Sequence, residues 1–382
     1  MKKWIQMGVV LLFALFLTEA ALRSPHLSTD AHTYTEPRRV GEVPEPDYLS
    51  MTEKELMVLA YDGDANACYR LGVCYDYGIG GVQQNFSSAF DWYRTADAYG
   101  QVQAASGIGY LYLNGCGVDT NLELARQYFI RAVEHGDPQG YVGLGRVGLQ
   151  STPLDKAAKN EVFDNIQTAK EQGVLDGAYY LGYLYERGIG TKKRPKKAFS
   201  LYQRVADSDS ERIEDRYSIN AARTRLGILY MEGIGVEKDP TAAKEAFEIA
   251  AEQGYSMAEY YLGISYEMGY GTAVDYGEAL LCFERAAQKN YAPALNEIGC
   301  MYFDGRGVEA NYSQAVYYQK LAAALGYEKA QINLGFLYEN GYGVERDLKT
   351  ALMYYEMAEE TGYPGASEAE VRVRSRMNGE ED

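Results

Sequence analysis

The sequence predicts an all-α fold, a right-handed superhelical solenoid of about eight αα-hairpin repeats spanning residues 67–362. A Leu-Gly or Ile-Gly pair recurs about every 36 residues, and in most repeats a Gly-x-Gly and then an Asn or Asp follow it. A period of this length is typical of units that cannot bury their apolar faces alone and must stack on neighbours. The glycines of the recurring pair are Gly72, Gly109, Gly145, Gly182, Gly227, Gly263, Gly299 and Gly335.

The chain begins with a pattern typical of an export signal. Lys2 and Lys3 precede an apolar run that is short for a membrane span and ends before Ala20. We therefore expect a signal peptide at residues 1–20 and a periplasmic or secreted protein, with no stable membrane insertion after cleavage. The alternative is an uncleaved anchor in the inner membrane. Residues 21–48 contain four prolines and no helical periodicity, which predicts a flexible tether.

The first helix of each repeat carries the recurring pair. A small residue lies five positions before the glycine in all eight repeats, and a tyrosine lies three positions after it in seven. These residues and the Leu or Ile are four apart, so they share one face of a helix. Small side chains on that face let a second helix approach closely.

A Gly-x-Gly, as in Gly341-Tyr342-Gly343, ends the first helix in seven repeats. Phosphate-binding glycine loops follow a strand, so these glycines predict helix caps instead. The second helix then opens at an Asn or Asp, which are good N-cap residues, and carries a core aromatic residue. The predicted aromatic positions are Tyr93, Phe129, Tyr202, Phe247, Phe283, Tyr318 and Tyr355.

Two repeats depart from the pattern, and both ends predict caps. The third repeat lacks the tyrosine, the Gly-x-Gly and the N-cap, and the 45-residue spacing from Gly182 to Gly227 indicates an insertion near residues 210–218. Insertions in solenoids often lie on the binding face, but we favour the alternative, in which this one is drift of a tolerant surface loop without function. Residues 49–66 predict a capping helix, and residues 363–382 predict another with an acidic tail.

Composition and motifs exclude several classes of function. The net charge of −17 disfavours nucleic acid as a partner, because nucleic acid binding rewards Lys and Arg. Five cysteines show no metal-ligand spacing, and three histidines leave no Ser/His/Asp or Cys/His constellation in the repeats. No Walker loop or dinucleotide fingerprint is present. We therefore expect no catalytic residues, no metal, no cofactor and no enzymatic activity.

The pattern Ala-x-x-x-Leu-Gly-x-x-Tyr-x-x-Gly-x-Gly-Val, with an Asp or Asn and an Ala before a Tyr or Phe, resembles the Sel-one-like repeat family, a relative of the tetratricopeptide repeat. The resemblance covers about four fifths of the chain. It implies an exported scaffold or adaptor in protein–protein assembly. The alternative is a β-lactamase-like or penicillin-binding hydrolase, which a cysteine-rich branch of the family implies. That branch carries two cysteines in nearly every repeat, unlike this chain.

We expect a protein or peptide partner to bind the concave face, which the first helices line in tetratricopeptide-like solenoids. Positions three before and one after the recurring glycine lie opposite the buried stripe of the first helix. The alternative is that these residues pack adjacent first helices together. The candidate partner-binding residues are Tyr69, Tyr110, Tyr179, Tyr183, Tyr260 and Phe336.

Cys282 and Cys300 are a candidate disulfide. Each lies nine residues from Tyr291, which is near the turn joining their helices, so both have the same height in the hairpin. An oxidising compartment would permit the bond. The alternative is that both are packing residues, since height alone does not fix the direction of the Cβ atoms.

Overall fold

The computed structural model describes residues 47–151, 154–210 and 212–379, and these contain eighteen α-helices, one 3-10 helix and no strand. The predicted signal peptide, most of the tether and residues 380–382 lie outside the described residues. The helices are α1 (Glu53–Tyr61), α2 (Ala65–Tyr77), α3 (Phe86–Ala98), α4 (Ala104–Asn114), α5 (Leu122–Glu134), α6 (Gln139–Gln150), α7 (Lys156–Glu171), α8 (Leu175–Arg187), α9 (Pro195–Ala206), the 3-10 helix (Ile213–Asp215), α10 (Arg216–Glu232), α11 (Pro240–Glu252), α12 (Ser256–Met268), α13 (Tyr276–Ala287), α14 (Ala292–Asp304), α15 (Tyr312–Ala324), α16 (Glu328–Asn340), α17 (Leu348–Glu360) and α18 (Ala366–Asn378).

The helices form two compact units, and the boundary between the units runs through α10. The first unit extends to Ala222 and includes Ile234–Val236, and the second consists of Arg223–Gly233 and the residues from Glu237 onward. In the first unit α2 packs on α3, α4 on α5, α6 on α7, and α8 on α9. In the second unit α12 packs on α13, α14 on α15, and α16 on α17. The predicted all-α fold of helix-hairpin repeats is confirmed.

The Gly-x-Gly glycines have two different roles. The first glycine caps the helix: Gly305 has φ 71° and donates its N–H to Met301 O. The second glycine permits close packing, because a Cβ built on Gly307 would lie 2.7 Å from Tyr276 Cβ in the preceding second helix. The sequence predicted the cap, while the approach of the neighbouring repeat is a finding of the structure.

Asn or Asp side chains cap the second helices as predicted. The Asn311 carboxamide oxygen accepts from Gln314 N–H at 3.0 Å, and Asp275 Oδ1 accepts from Gly277 and Glu278 N–H. Each cap satisfies N–H groups that the first helical turn leaves without a partner. The same arrangement occurs at Asn85, Asn121, Asp239 and Asp347.

In six of the eight hairpins that the structure describes, the core is an aromatic ring of the second helix against the recurring glycine of the first. A Cβ built on Gly263 would lie 2.6 Å from Phe283 Cε1, and Phe283 is fully buried. In the seventh repeat the prediction of Tyr318 is wrong by one position. Gln319 is the residue against Gly299 there, whereas Tyr318 is half-buried and stacks on Tyr302 with ring centroids 5.7 Å apart.

The degenerate third repeat still folds as a helix pair. A Cβ built on Gly145 of α6 would lie 2.5 Å from Cδ1 of Ile166, a fully buried residue of α7. An aliphatic side chain therefore replaces the core aromatic ring. The hairpin persists because the close glycine contact survives, although the tyrosine and the Gly-x-Gly are lost.

Both ends of the repeats are closed by helices. At α1, Thr52 and Glu55 form a capping box. At the other end, Glu339 of α16 accepts hydrogen bonds from Arg372 at 2.8 and 3.0 Å and from Arg376 at 2.5 Å, both on α18. The Glu339 side chain is only 3% exposed. Charge pairing thus holds the final helix against the last repeat.

Candidate protein-binding surfaces

The six predicted partner-binding residues have different environments. Tyr69, Tyr110 and Tyr260 are at most 4% exposed, Tyr179 and Tyr183 are half-buried, and Phe336 is 39% exposed. Contact with a partner through the first three rings is therefore not available in this structure. Their burial makes them packing residues, and whether they also pack adjacent first helices together stays a prediction.

The three buried tyrosines pack against core aromatic rings. The ring centroid of Tyr69 lies 5.6 Å from that of Tyr93, and that of Tyr110 lies 4.8 Å from that of Phe129. The Tyr260 ring lies 5.7 Å from Phe283, and burial raises its pKa well above the usual value. These rings are core groups that extend the aromatic packing within their own hairpins.

Phe336 belongs to an exposed aromatic patch in the second unit, formed by Phe303, Tyr312, Phe336 and Tyr342. Ring centroids within the patch lie 5.2–6.1 Å apart. Tyr312 is 43% exposed and Phe336 is 39% exposed, while the other two are half-buried. Four aromatic rings that share one partly exposed surface are typical of a protein contact site.

Sequence reasoning found only Phe336 of these four residues. Tyr342 could have indicated the patch, because it is an aromatic residue at the middle position of a Gly-x-Gly turn. The preceding repeat has Arg306 at that position. Tyr312 directly follows the N-cap Asn311, so its position beside the preceding Gly-x-Gly could have been inferred from the repeat. The joining of the four rings depends on packing between repeats, which one repeat's pattern does not show.

In the first unit, Tyr179 and Tyr183 lie next to cationic and aromatic neighbours. The Tyr179 ring centroid lies 5.1 Å from that of Tyr180, and the guanidinium of Arg187 lies 5.7 Å from the Tyr183 ring. Both rings keep a partly exposed surface. They remain candidate partner-binding residues.

A row of buried polar residues in the first unit escaped sequence analysis. Asp137 is 3% exposed and accepts from Gln139 N–H at 3.0 Å, and burial raises its pKa to about 6. Asp176 is 1% exposed and accepts from the Ser218 hydroxyl, and burial also raises its pKa to about 6. Nearby, the Arg146 guanidinium lies 5.0 Å from the Tyr110 ring. These are interior groups with no regular position in the repeat, so periodicity gave no indication of them.

A second polar cluster lies in the core of the second unit. Gln319 Nε2 donates to Asn296 O at 3.1 Å and to Cys300 Sγ at 3.5 Å, and Asn333 Nδ2 donates to Asn296 Oδ1 at 2.9 Å. Burial raises the pKa of Cys300 to about 12, so this thiol stays protonated. The cluster pairs the amide nitrogens of Gln319 and Asn333, although Gln319 Oε1 is buried without a hydrogen-bond partner among the described atoms, and its protonated thiol is not an activated nucleophile.

All five cysteines of the described residues are free thiols in the structure. Cys300 Sγ accepts from Gln319 and Asn333, whereas Cys282 Sγ accepts from Arg285 Nη2 at 3.1 Å. The two sulfur atoms thus have different partners, and the candidate disulfide is not formed here. The packing alternative accounts for both residues, since Cys282 is 1% exposed and Cys300 lies inside the polar cluster.

Within the described ranges, no group of three or more His, Cys, Asp or Glu side chains is arranged to hold a metal ion. Over the same residues, none of the helices is both long and apolar enough to cross a membrane.

The family model of the Sel1 repeat matches residues 65–96, 102–137, 175–210, 220–255, 256–291, 292–327 and 328–363. The chain belongs to the Sel1-repeat family. The matches leave out the degenerate repeat of α6 and α7 and the insertion after residue 210, which are the two departures seen in the sequence. This Sel1-repeat chain therefore has one helix pair that the family pattern does not cover.

Two curated relatives and one solved structure are similar to this Sel1-repeat chain. The ERAD-associated E3 ubiquitin-protein ligase component HRD3B of Arabidopsis thaliana is 30% identical over 154 residues, 38% of this chain and 24% of that protein. The chitin synthase regulator SKT5 of Saccharomyces cerevisiae is 29% identical over 168 residues, 43% of this chain and 23% of that protein. The matched region thus spans about a quarter of each relative. A Sel1 repeat protein from Oxalobacter formigenes has a TM-score of 0.50 at 24% identity, covering 88% of this chain and 96% of that one, and shows the same fold.

Proposed function

We propose that this Sel1-repeat protein is an exported scaffold or adaptor that binds a partner protein through a surface formed by first helices, a Gly-x-Gly turn and the start of a second helix. The observation that carries the proposal is the aromatic patch, in which Tyr312 and Phe336 expose 43% and 39% of their surface. Rigid aromatic side chains lose little entropy on binding and dominate contact energies in protein interfaces. The related HRD3B and SKT5, described as a ligase component and a synthase regulator, support a role that works through other proteins.

The proposal includes export because Lys2, Lys3 and the apolar run before Ala20 form a signal-like segment. The partner is expected to be a protein or peptide and not a nucleic acid, since the net charge of −17 repels a polyanion. Catalysis has no part in the proposal. Turnover of nitrocefin by the purified protein would contradict it and favour the hydrolase alternative.

The test is to change both Tyr312 and Phe336 to Ser and compare partner binding with the wild type. A matched control is Tyr317→Ser, which removes an aromatic residue that is 54% exposed and lies outside the patch. Binding should weaken at least tenfold for the double variant and stay within twofold for the control. Far-ultraviolet circular dichroism should be unchanged in both. Equal binding by all three proteins would overturn the patch as the contact surface.

A further inference from the structure

The insertion between the fourth and fifth repeats folds against the beginning of the first unit. Its ordered part is the 3-10 helix Ile213–Asp215. Ile213 is half-buried and packs against the apolar cluster formed by α1–α4, which includes Leu71 and Ile108. These contacts join residues that are more than a hundred positions apart in the chain, so the insertion does not simply extend into solvent.

Glu214 is the second contact, and it carries a charge into a buried site. Its residue surface is only 2% exposed. Burial raises its pKa, while the positive charges of Arg212 and Arg70 oppose that shift. Arg70 belongs to α2, so a residue of the insertion and a residue of the first repeat attract each other across the inside of the first unit.

The attraction between Arg70 and Glu214 is not completed by hydrogen bonds. Among the described atoms, Glu214 Oε1 is buried without a hydrogen-bond partner, and so are Arg70 Nε and Nη1. The link to Arg212 is long, with Nε 3.9 Å from Oε2. Buried charged groups that lack hydrogen bonds lower the stability of the contact that buries them. The insertion therefore covers this surface with an incomplete fit.

The 3-10 helix of the insertion is one turn long, and the chain that follows it is anchored in α10, where Ser218 donates to the buried Asp176. Ser210 donates to Asp215 Oδ2 at 2.6 Å within the segment itself, and a single 3-10 turn precedes α10. Segments with few buried apolar contacts open locally at low cost in free energy. A bond inside the segment does not fix the segment to the first repeat, whereas Ile213 packs against the cluster of α1–α4 and Glu214 faces Arg70 of α2.

We propose that the surface formed by Arg70 and the apolar cluster of α1–α4 is a docking site for a partner segment in which an apolar residue is followed by a carboxylate, and that Ile213 and Glu214 occupy this site as an intramolecular competitor. The inference rests on the proposed function as a protein-binding scaffold and adds a second surface with its own regulation. The chemistry of the occupant is taken from the insertion itself. A partner carboxylate placed to accept hydrogen bonds from Arg70 would satisfy nitrogen atoms that Glu214 leaves unpaired.

Competition within one chain predicts weak binding until the insertion is released. A tethered segment acts at an effective concentration in the millimolar range, so an identical segment added from outside must compete with it. The double variant Ile213→Ser/Glu214→Gln removes both contacts of the competitor but leaves Arg70 and the apolar cluster intact. This released variant should bind an external segment that the wild type binds poorly.

The probe is a fluorescein-labelled peptide with the sequence of residues 208–217, followed by fluorescence anisotropy. The released variant should bind it with a dissociation constant at least tenfold lower than that of the wild type. Adding Arg70→Gln to the released variant should raise the constant at least tenfold again. A control peptide with Ser for Ile213 and Gln for Glu214 should not bind. Equal affinity of wild type and released variant, or affinity indifferent to Arg70, would overturn the inference.

Hydrogen exchange of the wild type gives a second measurement that needs no variant. Excess unlabelled peptide should speed the exchange of residues 212–217 and leave that of α14–α17 unchanged. Unchanged exchange of residues 212–217 at a saturating peptide concentration would overturn the inference even if the released variant fails to fold. If the wild type binds a partner through the aromatic patch while the peptide binds nowhere, the docking site is refuted and the proposed function stands.

Discussion

Gly263 provides the sharpest test of how each hairpin is packed, because it lies against a fully buried ring. A Cβ at this position would be 2.6 Å from Phe283 Cε1 and 2.7 Å from Cδ1. Ordinary carbon–carbon contacts are about 3.5–4 Å, so the ring must retreat by about 1 Å for Gly263→Ala to fit. The core around it has little space for this movement, since Ala279 and Ala286 of the same helix are also fully buried.

The expected loss of stability for Gly263→Ala follows from two opposing effects. Overpacking a well-filled core costs up to about 3 kcal/mol, while Ala in a helix interior gains about 1 kcal/mol over Gly. The free energy of unfolding of the second unit should therefore fall by about 2 kcal/mol. For a unit of this size that corresponds to a melting temperature lower by about 4–8 °C.

The assay is thermal and urea unfolding followed by circular dichroism, with a matched glycine as control. Gly277 lies in the adjacent helix α13 and is exposed, and a Cβ there would meet only the Asp275 carboxylate at 3.3 Å. Gly277→Ala should leave stability unchanged or raise it slightly. Adding Phe283→Leu to Gly263→Ala should cost less than the sum of the single changes, because the smaller side chain leaves room for the new methyl group. An unaltered melting temperature for Gly263→Ala would refute the packing described here.

Three further predictions concern buried charged groups and thiols. The pKa values of Asp137 and Asp176 are both raised to about 6 in the folded chain, so the free energy of unfolding should fall as pH rises from about 4 to 6, and Asp137→Asn should reduce this fall in pH-dependent urea titrations while Asp176 supplies the remainder. Burial raises the pKa of Glu339, but hydrogen bonds from Arg372 and Tyr355 and the charges of Arg372 and Arg376 outweigh it and lower this pKa, so docking of α18 should weaken in acid as pH falls through the lowered pKa. Glu339→Gln should weaken it at neutral pH by about 1–2 kcal/mol, after allowance for the partly exposed arginines, with faster hydrogen exchange of α18 as the readout. Cys282 and Cys300 should both be found as free thiols by peptide mapping without reductant, and they should react with iodoacetamide only after denaturation; recovery of a peptide linked through both would show that the disulfide forms.

The regular part of the fold was predictable because it depends on local chemistry. Glycine at a left-handed cap, as at Gly305, and Asn at an N-cap, as at Asn311, satisfy backbone groups of their own helix, so each repeat states these requirements in its own sequence. The period then places the units along the chain. The same repetition identified the glycines that lie against the core side chains of the second helices.

The features that the sequence did not predict correctly, or did not predict at all, depend on packing that the pattern of one repeat does not describe. Tyr260 lies opposite the predicted stripe of its helix, yet it is buried, because its ring packs against those of Phe283 and Tyr291 at 5.7 and 5.5 Å. Choosing Tyr318 over Gln319 followed aromatic preference, whereas the 36-residue spacing from Phe283 points to Gln319. Neither the aromatic patch nor the contact of Ile213 with α1–α4 could be derived from one repeat, because both join distant parts of the sequence.

The central claim is that this Sel1-repeat chain binds a partner protein at the aromatic patch, and site-specific photocrosslinking tests it most directly. A benzoylphenylalanine at position 336 would replace Phe336 in the patch, and one at position 317 would replace the exposed Tyr317 outside it. In cells that produce the protein, crosslinking at 336 should give one defined adduct whose partner is identified by mass spectrometry, with no such adduct at 317. The same adducts at both positions, or none at 336, would contradict the account.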